Sequence, residues 1–132
     1  MPNTPDHHLL KSYSDGLFDQ FEFQAIGGLE TLLIENGLLF LMAFWSGPSV
    51  MGFKNICRGL QHVSLPNDFV FRVLDIDGAT AELLNHLVEF PPKIGGNAEA
   101  YWFRNGVNFA QTAVYSATEI RILELMAEIR RP

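Results

Sequence analysis

The run Leu38–Trp45 is eight apolar residues without a break, and Ser46-Gly47-Pro48-Ser49 follows it at once. A short continuous apolar run that ends in a turn is the pattern of a strand buried on both faces. It falls far short of a membrane span, which takes about 20 such residues. A strand of this kind needs cover above and below its sheet, and that confines the chain to layered α/β arrangements.

The flanking segments extend this reading. Residues 7–19 carry Leu9, Leu10, Tyr13, Leu17 and Phe18 at helical spacing, and residues 21–25 alternate as a strand does. After Gly27-Gly28, the residues Leu29, Leu32 and Leu33 mark a short helix that Asn36-Gly37 is predicted to end. Residues 49–63 form the next helix, with Met51, Ile56, Leu60 and Val63 as its apolar stripe. Phe69 to Ile76 is a second buried strand, and Leu83, Leu84, Leu87 and Val88 give one face to a helix over 80–90 that Pro91-Pro92 stops. Asn105-Gly106 between Ala100–Phe103 and Val107–Val114 is a hairpin signal, because both turn residues tolerate positive φ. Ser116-Ala117-Thr118-Glu119 has the capping-box pattern and opens a last helix through Ile122, Leu125, Met126 and Ile129. The β-α-β crossovers predict parallel strands covered on both faces, and the hairpin adds antiparallel ones.

Composition narrows the function. The chain has 132 residues, 48% of them hydrophobic and 18% charged, which suits one packed domain. Residues 1–20 read as an N-terminal tail and helix, and residues 21–132 as the domain proper. A net charge of −6 with no basic cluster beyond Arg130-Arg131 disfavours nucleic acid. The N-terminus lacks the basic and apolar regions of a signal peptide. Cys57 is the one cysteine, so no internal disulfide can form, which suits a reducing, cytoplasmic setting. No metal-ligand spacing is present, and no cofactor is expected. Eleven phenylalanines should fill the core and leave some over as surface anchors.

With cysteines in place of Ser46 and Ser49, the turn would read Trp-Cys-Gly-Pro-Cys. The order of elements and the markers Phe44-Trp45-Ser46-Gly47-Pro48-Ser49, Leu74-Asp75-Ile76-Asp77 and Phe103-Arg104-Asn105-Gly106 resemble the thioredoxin-like family over roughly residues 21–131. The resemblance implies an α/β fold, a thioredoxin-like three-layer α/β/α sandwich with a mixed central sheet. It places the nucleophilic cysteine at Ser46 and the resolving cysteine at Ser49. The family's buried acid falls on Phe40, its paired lysine on Val73, its cis-proline on Ala98 and a groove glycine on Val114. Pro92 is a second candidate for the proline's role. Thiol exchange needs one thiolate to attack and a second thiol to resolve, and serine does neither. Replacement of a buried ion pair by two apolar residues fits a chain that has given up proton transfer. Hydrogenase-maturation proteins of similar length include cysteine-less thioredoxin-like members, although no motif here assigns the chain to them.

The remaining candidates have simpler readings beside the functional ones. Ser46 and Ser49 as nucleophiles need a base, whereas Ser46 as a helix cap needs none. Cys57 in mid-helix is a small buried hydrophobe or a reactive thiol. Asp75 and Asp77 lie two apart on a predicted strand and close it structurally. Trp45 either packs its turn or anchors a partner. The resulting expectation is a non-catalytic, redox-inactive protein-binding module of chaperone or assembly-factor type. Its surface would comprise Trp45, Ser46, Pro48, Gly96, Asn97, Ala98, Val114 and Tyr115, with Gly47 and Ser49 completing the degenerate redox turn. The partner would be a protein or an extended peptide, added by β-augmentation beside Ala98. The alternatives are a thiol-dependent enzyme using Cys57 and a structural homodimer. Neither nucleic acid nor membrane is an expected partner.

Overall fold

The computed structural model describes residues 5–14, 20–87 and 94–131. Its elements are α1 (Pro5–Tyr13), β1 (Glu22–Gln24), β2 (Asn36–Met42), α2 (Gly47–Leu60), β3 (Phe69–Asp75), α3 (Ala81–Leu87), β4 (Ala100–Arg104), β5 (Val107–Thr112) and α4 (Glu119–Arg130). The strands form one mixed sheet in the order β1-β3-β2-β4-β5. β1, β2 and β3 pair in parallel, and β4 pairs antiparallel with both β2 and β5. Two-residue alternation along each strand feeds two cores. Leu38, Phe40, Met42, Phe71, Val73 and Trp102 face α2 and α4, while Leu39, Leu41, Leu74, Tyr101 and Phe103 face α3. This is the expected α/β/α sandwich with a mixed central sheet.

Phe40 and Val73 are directly opposite each other on neighbouring parallel strands, and both are fully buried. Phe53 of α2 stacks against this face with ring centroids 5.6 Å from Phe40 and 5.8 Å from Phe71, and Phe21 lies 5.7 Å away. Every described phenylalanine is buried or half-buried, so none of those described is an exposed anchor; Phe18 and Phe90 lie outside the described residues. No helix among the described residues is long and apolar enough to cross a membrane.

Several boundaries differ from expectation. Asn36-Gly37 begins β2 instead of ending a helix, and only a 3-10 turn at Leu29–Leu32 precedes it. Gly37 has φ 148°, and a Cβ there would come within 1.9 Å of the Val70 carbonyl oxygen. Glycine is therefore required by the close approach of β3, not by a helix end. The apolar run leaves the sheet at Met42, so Trp45 is not strand. Met51 is exposed, and the buried stripe of α2 runs instead through Phe53, Ile56, Cys57 and Leu60. Asp75 and Asp77 do not share a strand face: the chain turns into a 3-10 segment at Ile76, and Asp75 accepts the Asp77 N–H at 2.9 Å. The cap of α4 is Thr118, which accepts the Arg121 N–H at 3.1 Å, while Ser116 accepts that of Ala113. The hairpin turn is as expected, with φ 53° at Asn105 and 79° at Gly106. The second half of the helix predicted over 7–19, the end of that predicted over 80–90, and Pro91-Pro92 with its cis candidate Pro92 lie outside the described residues.

Tyr101 has a measurable consequence. Its hydroxyl is buried without a hydrogen-bond partner among the described residues. Burial raises the phenol's pKa strongly, and the Glu99 charge adds to the rise. The folded protein therefore keeps this proton at a pH where the unfolded chain, with its tyrosine near 10, has released it. Its contribution is intact below about pH 10 and is lost as pH rises further, at about 1.4 kcal/mol per pH unit. Urea unfolding at about pH 9 and about pH 11 should show this loss in the wild type and a shallower one in Tyr101→Phe. Equal slopes would contradict the assignment.

Candidate functional site

The Ser-Gly-Pro-Ser turn joins β2 to α2 at the end of the sheet where β4 begins. Ser46 is the N-cap of α2, which starts at Gly47 with Pro48 in its first turn. Its Oγ accepts the Ser49 N–H at 3.4 Å and donates to the Gly96 carbonyl oxygen at 2.5 Å. Proline in the first turn loses no helical hydrogen bond, and serine is a favoured cap. Ser49 is fully buried: its Oγ accepts the Ala43 N–H at 2.9 Å and donates to Met42 Sδ at 3.5 Å. It thereby satisfies a backbone donor just where β2 ends, one that would otherwise be buried unpaired.

Both serine hydroxyls are thus engaged in hydrogen bonds that hold the turn. The Ser46 proton is directed at Gly96, not at a base. Of the histidines weighed for that role, His62 lies 3.5 Å from Glu119, and His86 sits near the end of α3. Cys57 is fully buried within the core between sheet and helices. Among the described residues, no group of three His, Cys, Asp or Glu side chains could hold a metal ion.

The residues named from sequence converge here. Trp45 is 65% exposed, yet the far edge of its indole rests on Gly96 so closely that a Cβ there would lie 2.8 Å from it. Gly96 has φ 75°, so glycine meets both the backbone and the space requirement. The Asn97 carbonyl accepts the Val114 N–H at 2.8 Å, which joins the lip at 95–98 to the end of β5. Ala98 and Val114 both flank Gly52 of α2, and a Cβ on Gly52 would stand 2.1 Å from that of Ala98. Tyr115, next along, is 90% exposed. Gly47 and Pro48 are exposed at the turn.

Two contributors were not singled out from sequence: Glu99 and Gly52. Glu99 is fully buried, with Oε2 accepting the Gly95 N–H at 3.2 Å and the Asn97 N–H at 2.8 Å. An acid at the mouth of the apolar run Ala100–Phe103 was its available signal. For Gly52 the signal was a lone glycine inside a helical pattern, which marks a close approach. Asn97 therefore has both backbone groups engaged inside the protein, the N–H by Glu99 and the C=O by Val114.

A separate groove of about 470 Å³ lies at the β4–β5 turn, lined by Leu32, His86, Leu87, Phe103 and Val107. It shares no lining residue with the Ser-Gly-Pro-Ser surface. In comparisons with known proteins, no family model matches the chain, and no curated protein matches its sequence.

Proposed function

We propose that this chain is a redox-inactive thioredoxin-like domain of the cytoplasm that binds a protein or an extended peptide, as a chaperone or assembly factor does. The observation that carries the reading is the contrast within one turn. Ser46 and Ser49 are committed to hydrogen bonds that hold the backbone, while Trp45 beside them is left 65% exposed on a glycine platform. A large aromatic held rigid at the surface loses little entropy on binding and is a favoured anchor.

Recognition runs mainly through side-chain faces, those of Trp45, Pro48 and Tyr115. Strand addition beside Ala98 would have to displace Glu99 or Val114 from Asn97 first, so it supports the reading less than the aromatic surface does. Burial of Cys57 speaks for packing over thiol chemistry, since reactive thiols need exposure.

Affinity capture compares the wild type with a Trp45→Ala, Pro48→Ala variant of unchanged circular dichroism. The expected result is a partner retained by the wild type and lost by the variant. An insulin-reduction assay runs in parallel on the wild type and on Cys57→Ser. Turnover by the wild type that disappears with Cys57 would replace this reading with a thiol enzyme. A partner retained equally by both capture proteins would remove the surface.

A further inference from the structure

The lip at 95–98 is held in an unusual way. Ala98 has φ 62°, a left-handed conformation that an alanine rarely adopts unless its surroundings impose it. Gly96 at φ 75° precedes it by two residues. Backbone that passes through left-handed residues turns its N–H groups toward one side and forms a concavity that favours an anion. Here the Gly95 and Asn97 N–H groups both meet Glu99 Oε2.

Glu99 is an expensive residue to keep there. It is fully buried, none of the ion pairs among the described residues includes it, and Oε1 has no hydrogen-bond partner among them. An apolar residue of similar volume would suit the α3-facing core better. What the carboxylate does instead is hold the lip. Its own carbonyl accepts the Leu41 N–H at 3.0 Å, so the residue is pinned to β2 as well. From the lip, Gly96 carries Trp45 and takes the Ser46 proton, and Asn97 takes the Val114 N–H. Trp45, Ser46 and Val114 of the proposed docking surface are all tied to this loop.

We propose that Glu99 is the positioning residue of that surface, an internal carboxylate seated in a backbone anion nest that fixes the lip and so the stance of Trp45. The proposal rests on the binding reading for its purpose, but its physical content can be tested without a partner. Glu99→Leu keeps the volume, removes the buried charge and offers no acceptor. Glu99→Gln keeps an acceptor oxygen at the same reach.

The experiment is amide hydrogen exchange with acrylamide quenching of tryptophan, which reports Trp45 because Trp102 is fully buried. In Glu99→Leu, exchange at Gly95 and Asn97 should rise at least about tenfold, as for a locally released loop. The β2–β3 amides should keep their protection, global stability should not fall, and Trp45 quenching should change. Glu99→Gln should keep lip protection within about threefold of the wild type. A merely structural Glu99 would instead lower protection across the whole sheet together with global stability. Parallel loss of that kind, or unchanged exchange at Gly95 and Asn97 in Glu99→Leu, overturns the proposal. Should Glu99→Leu not fold, Glu99→Asp takes its place. Being one methylene short, it should release the lip where Glu99→Gln holds it, and equal protection in the two overturns the proposal. Lip release with intact partner capture would overturn the positioning role alone and leave the binding reading standing.

Discussion

Replacing Phe40 by aspartate is expected to abolish cooperative folding at neutral pH. Thioredoxin-like proteins, which the sequence resembles, carry a buried acid at the corresponding position, so the substitution tests whether this site can hold one. Phe40 is fully buried, faces Val73 across the parallel pair, and meets Phe53 edge-on at 5.6 Å. Removing a core phenylalanine costs about 3–5 kcal/mol, and an isolated carboxylate in its place adds several more. The sum rivals the whole stability of a small domain, about 5–15 kcal/mol. Adding Val73→Lys should recover part of the loss, since it places a cation directly opposite. Urea unfolding of the single and double variants checks this. A Phe40→Asp protein within about 1 kcal/mol of the wild type would show that the site still accommodates an acid.

Gly52→Ala should destabilise the protein by about 1–3 kcal/mol, although alanine in a helix ordinarily gains about 1 kcal/mol over glycine. The sign is reversed because the new methyl would stand 2.1 Å from the Cβ of Ala98. Either α2 moves off the sheet or the lip moves out, and the lip is the lighter element. The change should therefore also alter the environment of Trp45, which rests on Gly96 two residues earlier. Gly47→Ala is the control, with nothing within 4 Å of the added atom, and should be neutral or slightly stabilising. Thermal unfolding with Trp45 quenching reads both effects. A Gly52→Ala protein as stable as Gly47→Ala would contradict the packing described.

Much of the fold is visible in the sequence wherever a single force decides. The apolar run at 38–42 has no alternative to burial, Phe71, Val73 and Leu74 of β3 are buried beside it, and Asn105-Gly106 has few competing conformations. The α4 stripe of Ile122, Leu125, Met126 and Ile129 is buried as its spacing requires. What the sequence hides is set by tertiary contact. Trp45 looks like the end of a strand because nothing local distinguishes it from Phe44, and only the departure of the chain at Met42 exposes it. Met51 fits a helical stripe by number, but α4 crosses α2 lower down and covers Gly59 instead, where a Cβ would touch Ile122. Asn36-Gly37 carries a helix-stop signal, yet here β3 demands the glycine. Turn, lip and Val114 could be brought together only through the family resemblance, since no local pattern joins residues 50 to 70 positions apart. Glu99 escaped because its role lies in backbone donors, which a sequence does not display.

Ser49 makes placing a dithiol here harder than exchanging two oxygens for two sulfurs. Its hydroxyl accepts the Ala43 N–H in a site with no solvent access. Sulfur is larger and a weaker acceptor, so a cysteine at 49 would strain the strand end and leave that amide poorly satisfied. Ser46 adds a second obstacle, because the proton it gives to Gly96 is the one a thiolate would lack. The turn thus resists conversion to a dithiol: each hydroxyl oxygen supports the scaffold, and replacing either by sulfur would weaken the structure before any thiol chemistry could begin.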